Sequence, residues 1–268
     1  MAKQDRSKVG ALIRAAIRTK IYLQKDPHLL VRYVAEALDG LDVPATIFVQ
    51  TRRIHKLDNY SLGRSRELLA QLKDVTENCG HEIGLHSSYA TRDLESGVWA
   101  AQWRRLRKML GSKVTAVHRG HYLRTEPDAR FVLPETAGRL VDSTLGYGGQ
   151  PGFRRGTAFP FSAGGAIELA PCVMDSTLRY HARLTAEQAY DSAAKLLETV
   201  RETGGAYVPI FHPHNMEDFF WPGWRDVFFD LVAAAKERGA TMQSLARTAR
   251  DLYNEVERLE RDLDRSNP

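Results

Sequence analysis

Apolar residues in the stretch 26–41, DPHLLVRYVAEALDGL, recur at steps of three and four, which predicts a helix opened by Asp26-Pro27. The pattern then changes period. VPATIFVQ (43–50) is a short β-branched and aromatic run between a proline and an arginine, and it predicts a buried strand. The alternation continues with a helix in GRSRELLAQLKDVTENCG, ending at Gly80, and a strand in HEIGLHSS. LESGVWAAQWRRLRKMLG predicts a third helix and KVTAVHRGHY a third strand. PETAGRLVDSTLGY repeats helix then strand. After a glycine-rich excursion over 146–166, a long helix at 185–203 precedes a late strand in GGAYVPIFHPHN. Such alternation predicts an α/β fold, a largely parallel sheet wrapped by helices as a barrel or a doubly wound sheet. No linker or internal repeat divides it.

The tail has a different rhythm. Met242, Leu245, Ala249, Leu252, Val256, Leu259 and Leu263 alternate steps of three and four on a charged background, which is heptad spacing. A terminal amphipathic helix laid against the domain and a short coiled coil joining two copies as a homodimer both fit it. Three regions follow: a basic helical segment at 1–25, a main domain at 26–245 and the heptad-patterned helix at 246–268.

Composition narrows the class. A chain of 268 residues, 43% hydrophobic and 26% charged, has the makeup of an ordinary globular protein. No stretch approaches the roughly 20 apolar residues of a membrane span. The basic start, MAKQDRSKVGALIRAAIRTK, lacks the apolar core of a secretory signal, while its amphipathic pattern leaves a membrane-surface role open. A net charge of +5 suits anionic partners such as nucleotide sugars or lipid phosphates. The charge is dispersed and no nucleic-acid motif is present, so nucleic acid is not an expected partner. Cys79 and Cys172 lie far apart and form no CxxC, which predicts a reduced, cytoplasmic protein.

In parallel α/β folds, ligands bind where loops leave the carboxyl ends of the strands. His86-Ser87 closes one predicted strand, and Arg119, His121 and Tyr122 close the next. Asp142-Ser143-Thr144 follow at a fourth, and His212-Pro213-His214-Asn215 close the late one. Four polar clusters at equivalent positions predict a shared cleft.

These same stretches, ATIFV, GHEIGLHSSY, HRGHYLR, DSTLGYGGQPGFRRGT and PIFHPHN, resemble in order and spacing the polysaccharide deacetylase family, the NodB-homology carbohydrate esterases. The likeness covers roughly residues 26–245 and is greatest to a subgroup with EIGLHPSY, HYLR, DSTLGY and GFRxG motifs. It implies a distorted (β/α) barrel that removes acetyl groups from N-acetylated sugars with one divalent metal, zinc, cobalt or nickel. Nucleotide- or lipid-linked sugars of surface-glycan metabolism are the implied substrates. Carried over residue by residue, the resemblance makes His86 a metal ligand, His212 the general acid and Arg119 the cation that orients the catalytic carboxylate. Tyr122 would line the sugar pocket, with Asp142 a candidate partner for Arg119. Arg154 and Arg155, in a cleft-edge loop, would grip an anionic substrate or simply be solvated, and Trp221 and Trp224 would stack on a sugar ring or fill the core. His81, in the lead-in to the motif, is expected to be structural.

Two departures stand out. Ala90 occupies the place of the family's second metal histidine, which leaves His121 and His214 as candidates for further ligands. The family's first strand ends in an Asp-x-Asp pair, whereas counting back from ATIFV lands on Gln24-Lys25. The subgroup's spacing would put the pair before Met1, so the chain either starts downstream of it or has lost the first strand and the base. Asp5 and Asp26 are the nearby carboxylates. The alternative function is therefore a catalytically impaired relative that binds a glycan or protein partner.

Overall fold

The computed structural model describes residues 31–58, 62, 65–93, 96–124, 140–216 and 221–266. The predicted 1–25 segment, the Asp26-Pro27 cap, Asp5 and most of the predicted 134–140 helix lie outside the described residues.

The elements run α1 (Val31–Gly40), β1 (Thr46–Val49), α2 (Arg66–Asn78), β2 (Glu82–Ser87), α3 (Ser96–Leu110), β3 (Val114–Gly120) and β4 (Val141–Asp142). They continue with β5 (Phe161–Ala163), β6 (Ala166–Glu168), β7 (Val173–Met174), α4 (Ala186–Thr203), β8 (Pro209–Ile210), α5 (Trp224–Glu237) and α6 (Leu245–Ser266). One sheet has the order β1-β2-β3-β4-β6-β5, and β7 pairs with β8 in a second. Every pairing is parallel except β5 with β6. The expected α/β class with a parallel sheet is therefore observed. The glycine-rich excursion is more ordered than its sequence suggests, because Gly164 and Gly165, both at positive φ, turn a hairpin between β5 and β6.

Helix faces explain the layering. Trp99, Trp103, Leu106 and Leu110 fall on one stripe of α3 and pack with Leu68 and Leu72 of α2 against Ile83 and Leu85. α4 and α5 cover β7 and β8 through Ala189, Ala193, Val227 and Leu231. β2 is buried along most of its length, as a central parallel strand should be. Thr185 and Gln188 form a capping box that starts α4.

α6 is anchored at the opposite end of the sheet from the strand termini that carry the polar clusters. The Leu245 amide donates to Thr46 Oγ1 and the Ala246 amide to Glu82 Oε1, both at 2.9 Å, at the first residues of β1 and β2. Leu245, Ala246 and Ala249 bury against Val117, Val141 and Ile167. The first half of the heptad stripe is thus used within the molecule, while Leu259 further along is 52% exposed. Among the described residues, no helix is long and apolar enough to cross a membrane.

Candidate functional site

β2 and β3 run side by side with His86 opposite Arg119 and Ser87 opposite Gly120, and β3 places His118 opposite Asp142. This register brings three of the predicted clusters to one end of the sheet. A cavity of about 1,860 Å³ reaches that end, running along β1 and β8 from Ala45, Thr46 and Leu245 at the other. His86, Arg119, His121, Tyr122, His212 and His214 all line it.

His86 donates from Nδ1 to the Arg119 carbonyl at 2.9 Å, which leaves Nε2 as its lone-pair nitrogen. Burial, with His121 and Arg119 nearby, holds its pKa well below the ordinary histidine value, so the ring is neutral. The His121 ring meets it edge-on, with centroids 4.9 Å apart. His121 Nδ1 lies 3.3 Å from Asp58 Oδ1 and 3.1 Å from Gln50 Nε2. Burial lowers the His121 pKa too, against the opposing pull of Asp58. Two neutral imidazoles thus sit together, each tied at Nδ1, the arrangement that orients histidine ligands toward a cation.

Asp58 is the buried hub behind them. It accepts from the Ile54, His55 and Tyr89 amides at 2.8–2.9 Å and from Ser88 Oγ at 2.7 Å. Burial alone would raise its pKa, but these donors hold it below the usual carboxylate range. It stands in the loop after β1, which carries no periodic pattern to announce it.

His212 closes the other side of the cavity. Its Nδ1–H donates to Asp175 Oδ1 at 2.6 Å, and its amide donates to Asp175 Oδ2 at 2.7 Å. Burial favours the neutral ring, yet the Asp175 charge and hydrogen bond raise the His212 pKa above the ordinary value. Asp175 moves the opposite way: against burial, the His212 charge and the donated hydrogen bonds lower its pKa. Asp175 is absent from the residues the sequence singles out, and its signal there is an apolar run, PCVMD, ending in a carboxylate at a strand terminus.

Arg119 is buried at the cavity wall, and burial pushes its pKa down to about 9, so it remains cationic at neutral pH. It does not pair with Asp142. Its Nε donates to the Ser143 carbonyl at 3.0 Å and its Nη2 to Ser143 Oγ at 2.9 Å, while its face covers Phe48. Asp142 instead accepts from His118 Nδ1 at 2.9 Å, the Ser143 amide at 2.8 Å and Thr144 Oγ1 at 2.6 Å. The physical reason is alternation along β3: His118 and Arg119 point to opposite faces, and Asp142 shares the face of His118.

The remaining predicted residues separate. Tyr122 is 59% exposed at the cavity rim, edge-on to Tyr89 at 5.6 Å. Arg154 and Arg155 are exposed and are not among the cavity's lining residues; Arg154 donates to the Gly146 carbonyl and Arg155 lies over Phe161. Trp221 is half-buried against the core cluster of α4 and α5 with Arg179 stacked over one ring face, so that face is closed to a sugar. Trp224 is core as well. His81 is structural: it accepts from the Ala45 amide at 3.1 Å and donates to the Ala35 carbonyl at 2.8 Å. Among the described residues, no group of three or more His, Cys, Asp or Glu side chains is arranged to hold a metal ion.

The chain matches no known protein-family model and no curated protein sequence.

Proposed function

We propose that the chain is a distorted (β/α) barrel of the polysaccharide deacetylase type that hydrolyses the acetamide of an N-acetylated sugar. The observation that carries this reading is the convergence of His86, His121 and His212 on one cavity at the carboxyl ends of β2, β3 and β8. The strand order from β1 to β6, followed by β7 and β8, suits a barrel whose seam lies between β8 and β1. His86 and His121 fit as two ligands of a divalent ion, since each is neutral and tied at Nδ1. A zinc site ordinarily takes three protein donors, and the described residues supply these two. Such an ion would polarise the acetyl carbonyl and bring the pKa of bound water to roughly 7. His212, held by Asp175, presents Nε2 to the cavity and hands a proton to the leaving amine. Tyr122 and Tyr89 offer ring surfaces for the sugar at the rim. Two unpaired cysteines support a reducing, cytoplasmic setting and hence a nucleotide- or lipid-linked substrate of surface-glycan assembly.

Metal analysis with an acetate-release assay tests this. His86→Ala should abolish binding of one zinc, cobalt or nickel ion. His212→Ala should retain the ion and lower acetate release by about 10²–10⁴-fold, the usual worth of general acid–base catalysis. Unchanged metal content in His86→Ala would remove His86 from the site, and metal loss in His212→Ala would make His212 a ligand.

A second reading is supported by the incomplete ligand set among the described residues: the cavity binds a glycan without cleaving it. That reading requires binding that survives chelator, with no acetate released.

A further inference from the structure

Behind His212 lies a relay that the deacetylase chemistry does not by itself require. β7 ends at Asp175, and the π-helical turn that follows, Thr177–His181, carries Arg179 back toward the end of β8. There Arg179 Nη1 donates to Asn215 Oδ1 at 3.2 Å. Asn215 Nδ2 donates to Asp175 Oδ2 at 3.0 Å, and Asp175 Oδ1 accepts from His212 Nδ1 at 2.6 Å. A guanidinium only donates and an ionised carboxylate only accepts, so an amide between them has one possible orientation. Turned over, Asn215 would set its oxygen against Asp175 and its NH₂ against Arg179, two repulsive contacts in a buried site.

Arg179 is 9% exposed and is placed by aromatic rings, with Trp221 stacked on it, Tyr180 at 4.8 Å and Trp224 at 5.7 Å. Among the described residues its guanidinium donates to Asn215 Oδ1, which the Tyr180 hydroxyl also approaches at 3.5 Å, and Nη2 finds no partner. Burying a guanidinium costs free energy that its hydrogen bond to Asn215 and its stacking on Trp221 offset in part. We propose that Arg179 is a positioning residue, locking the Asn215 amide so that Asp175 holds the His212 ring with Nε2 aimed into the cavity. This rests on the reading of His212 as proton donor in the proposed reaction. It implies that the cluster of Trp221, Tyr180 and Trp224 serves the site by holding Arg179 rather than by touching a sugar.

The test is NMR of the whole protein with ¹⁵N-labelled histidine, following the Nδ1-bound proton of His212, assigned by its loss in His212→Gln. The wild type should show this proton far downfield, as a short bond to a carboxylate produces. Arg179→Met keeps a long side chain between the rings but donates nothing, and should displace the resonance upfield or lose it to exchange. Arg179→Lys, which can donate to Asn215, should restore it in part. An unmoved resonance in Arg179→Met overturns the proposal. Equal disturbance in Arg179→Met and Arg179→Lys also overturns it, because packing alone would then be responsible. Should Arg179→Met not fold, Asn215→Ala with Arg179 intact must give the upfield displacement, and a wild-type resonance there overturns the proposal. The readout needs no substrate. If the histidine resonances behave as stated while no N-acetylated sugar is cleaved, the deacetylase reading fails and the positioning role stands.

Discussion

Glu168 is buried beside Asp142, and burial together with that neighbouring charge pushes its carboxyl well above the ordinary glutamate pKa. The folded protein therefore holds the proton while the unfolded chain releases it above about pH 4.5. The stabilising contribution is fully present below that pH and is lost as pH rises toward the folded value. Glu168→Gln should flatten this decline, raising stability at neutral pH relative to wild type; denaturant melts from pH 4 to pH 8 would show it, and parallel curves would refute it. Tyr122 makes a different point at the same scale. It and Leu123 sit at φ of 61° and 53°, a conformation costing side-chain-bearing residues of order 1–3 kcal/mol each. Being largely exposed, Tyr122 has little packing to lose, so Tyr122→Gly should leave thermal stability unchanged or higher. The same variant should weaken glycan binding if the ring forms the rim, which calorimetry with an N-acetylated oligosaccharide would measure. His86, Arg119, His121 and His212 were legible because each closes a strand with a polar residue after an apolar run. Their partners were not. Asp58 and Asp175 reach their histidines across 63 and 37 residues of sequence, and no local period encodes such a meeting.

Among the elements, β3 and its exit turn govern the site. The amide of Gly120 donates to Thr144 Oγ1, and a Cβ placed on Gly120 would fall 2.6 Å from the Arg124 carbonyl oxygen and 2.9 Å from Thr144 Cγ2. Backbone cannot yield as a flexible side chain would. Gly120→Ala should therefore cost about 1–3 kcal/mol by overpacking and displace His121, its neighbour. A variant that melts like wild type would show the turn to be softer than its contacts imply. α6 offers a similar test at the far end, because Ala249 is fully buried against Val117, Val141 and Ile167. Ala249→Leu should destabilise by about 1–3 kcal/mol. The long helices were readable from periodicity, since their apolar stripes repeat over several turns. β4, β7 and β8 were harder, because two residues are too few to display alternation. Arg119 and Asp142 were expected to pair for the same reason: sequence places both at strand ends but does not reveal which face each takes.

For the molecule as a whole, the parallel strands set their exit loops at one end and the anchored start of α6 at the other. Chemistry can gather at the first end while the second is fixed by Thr46 and Glu82. The cavity also extends past the histidines between β1 and β8, where Ile47, Phe48, Val208 and Ile210 line it. The α/β class was legible from the order of elements alone. The ligand set was not, because two imidazoles within the described residues meet only part of a cation's demand. The most direct measurement is anomalous diffraction from a crystal of the zinc-loaded protein, collected at the zinc edge. The account predicts one strong peak in contact with both His86 Nε2 and His121, facing His212 across the cavity. A crystal with zinc bound elsewhere, or with no peak between those two rings, would contradict it.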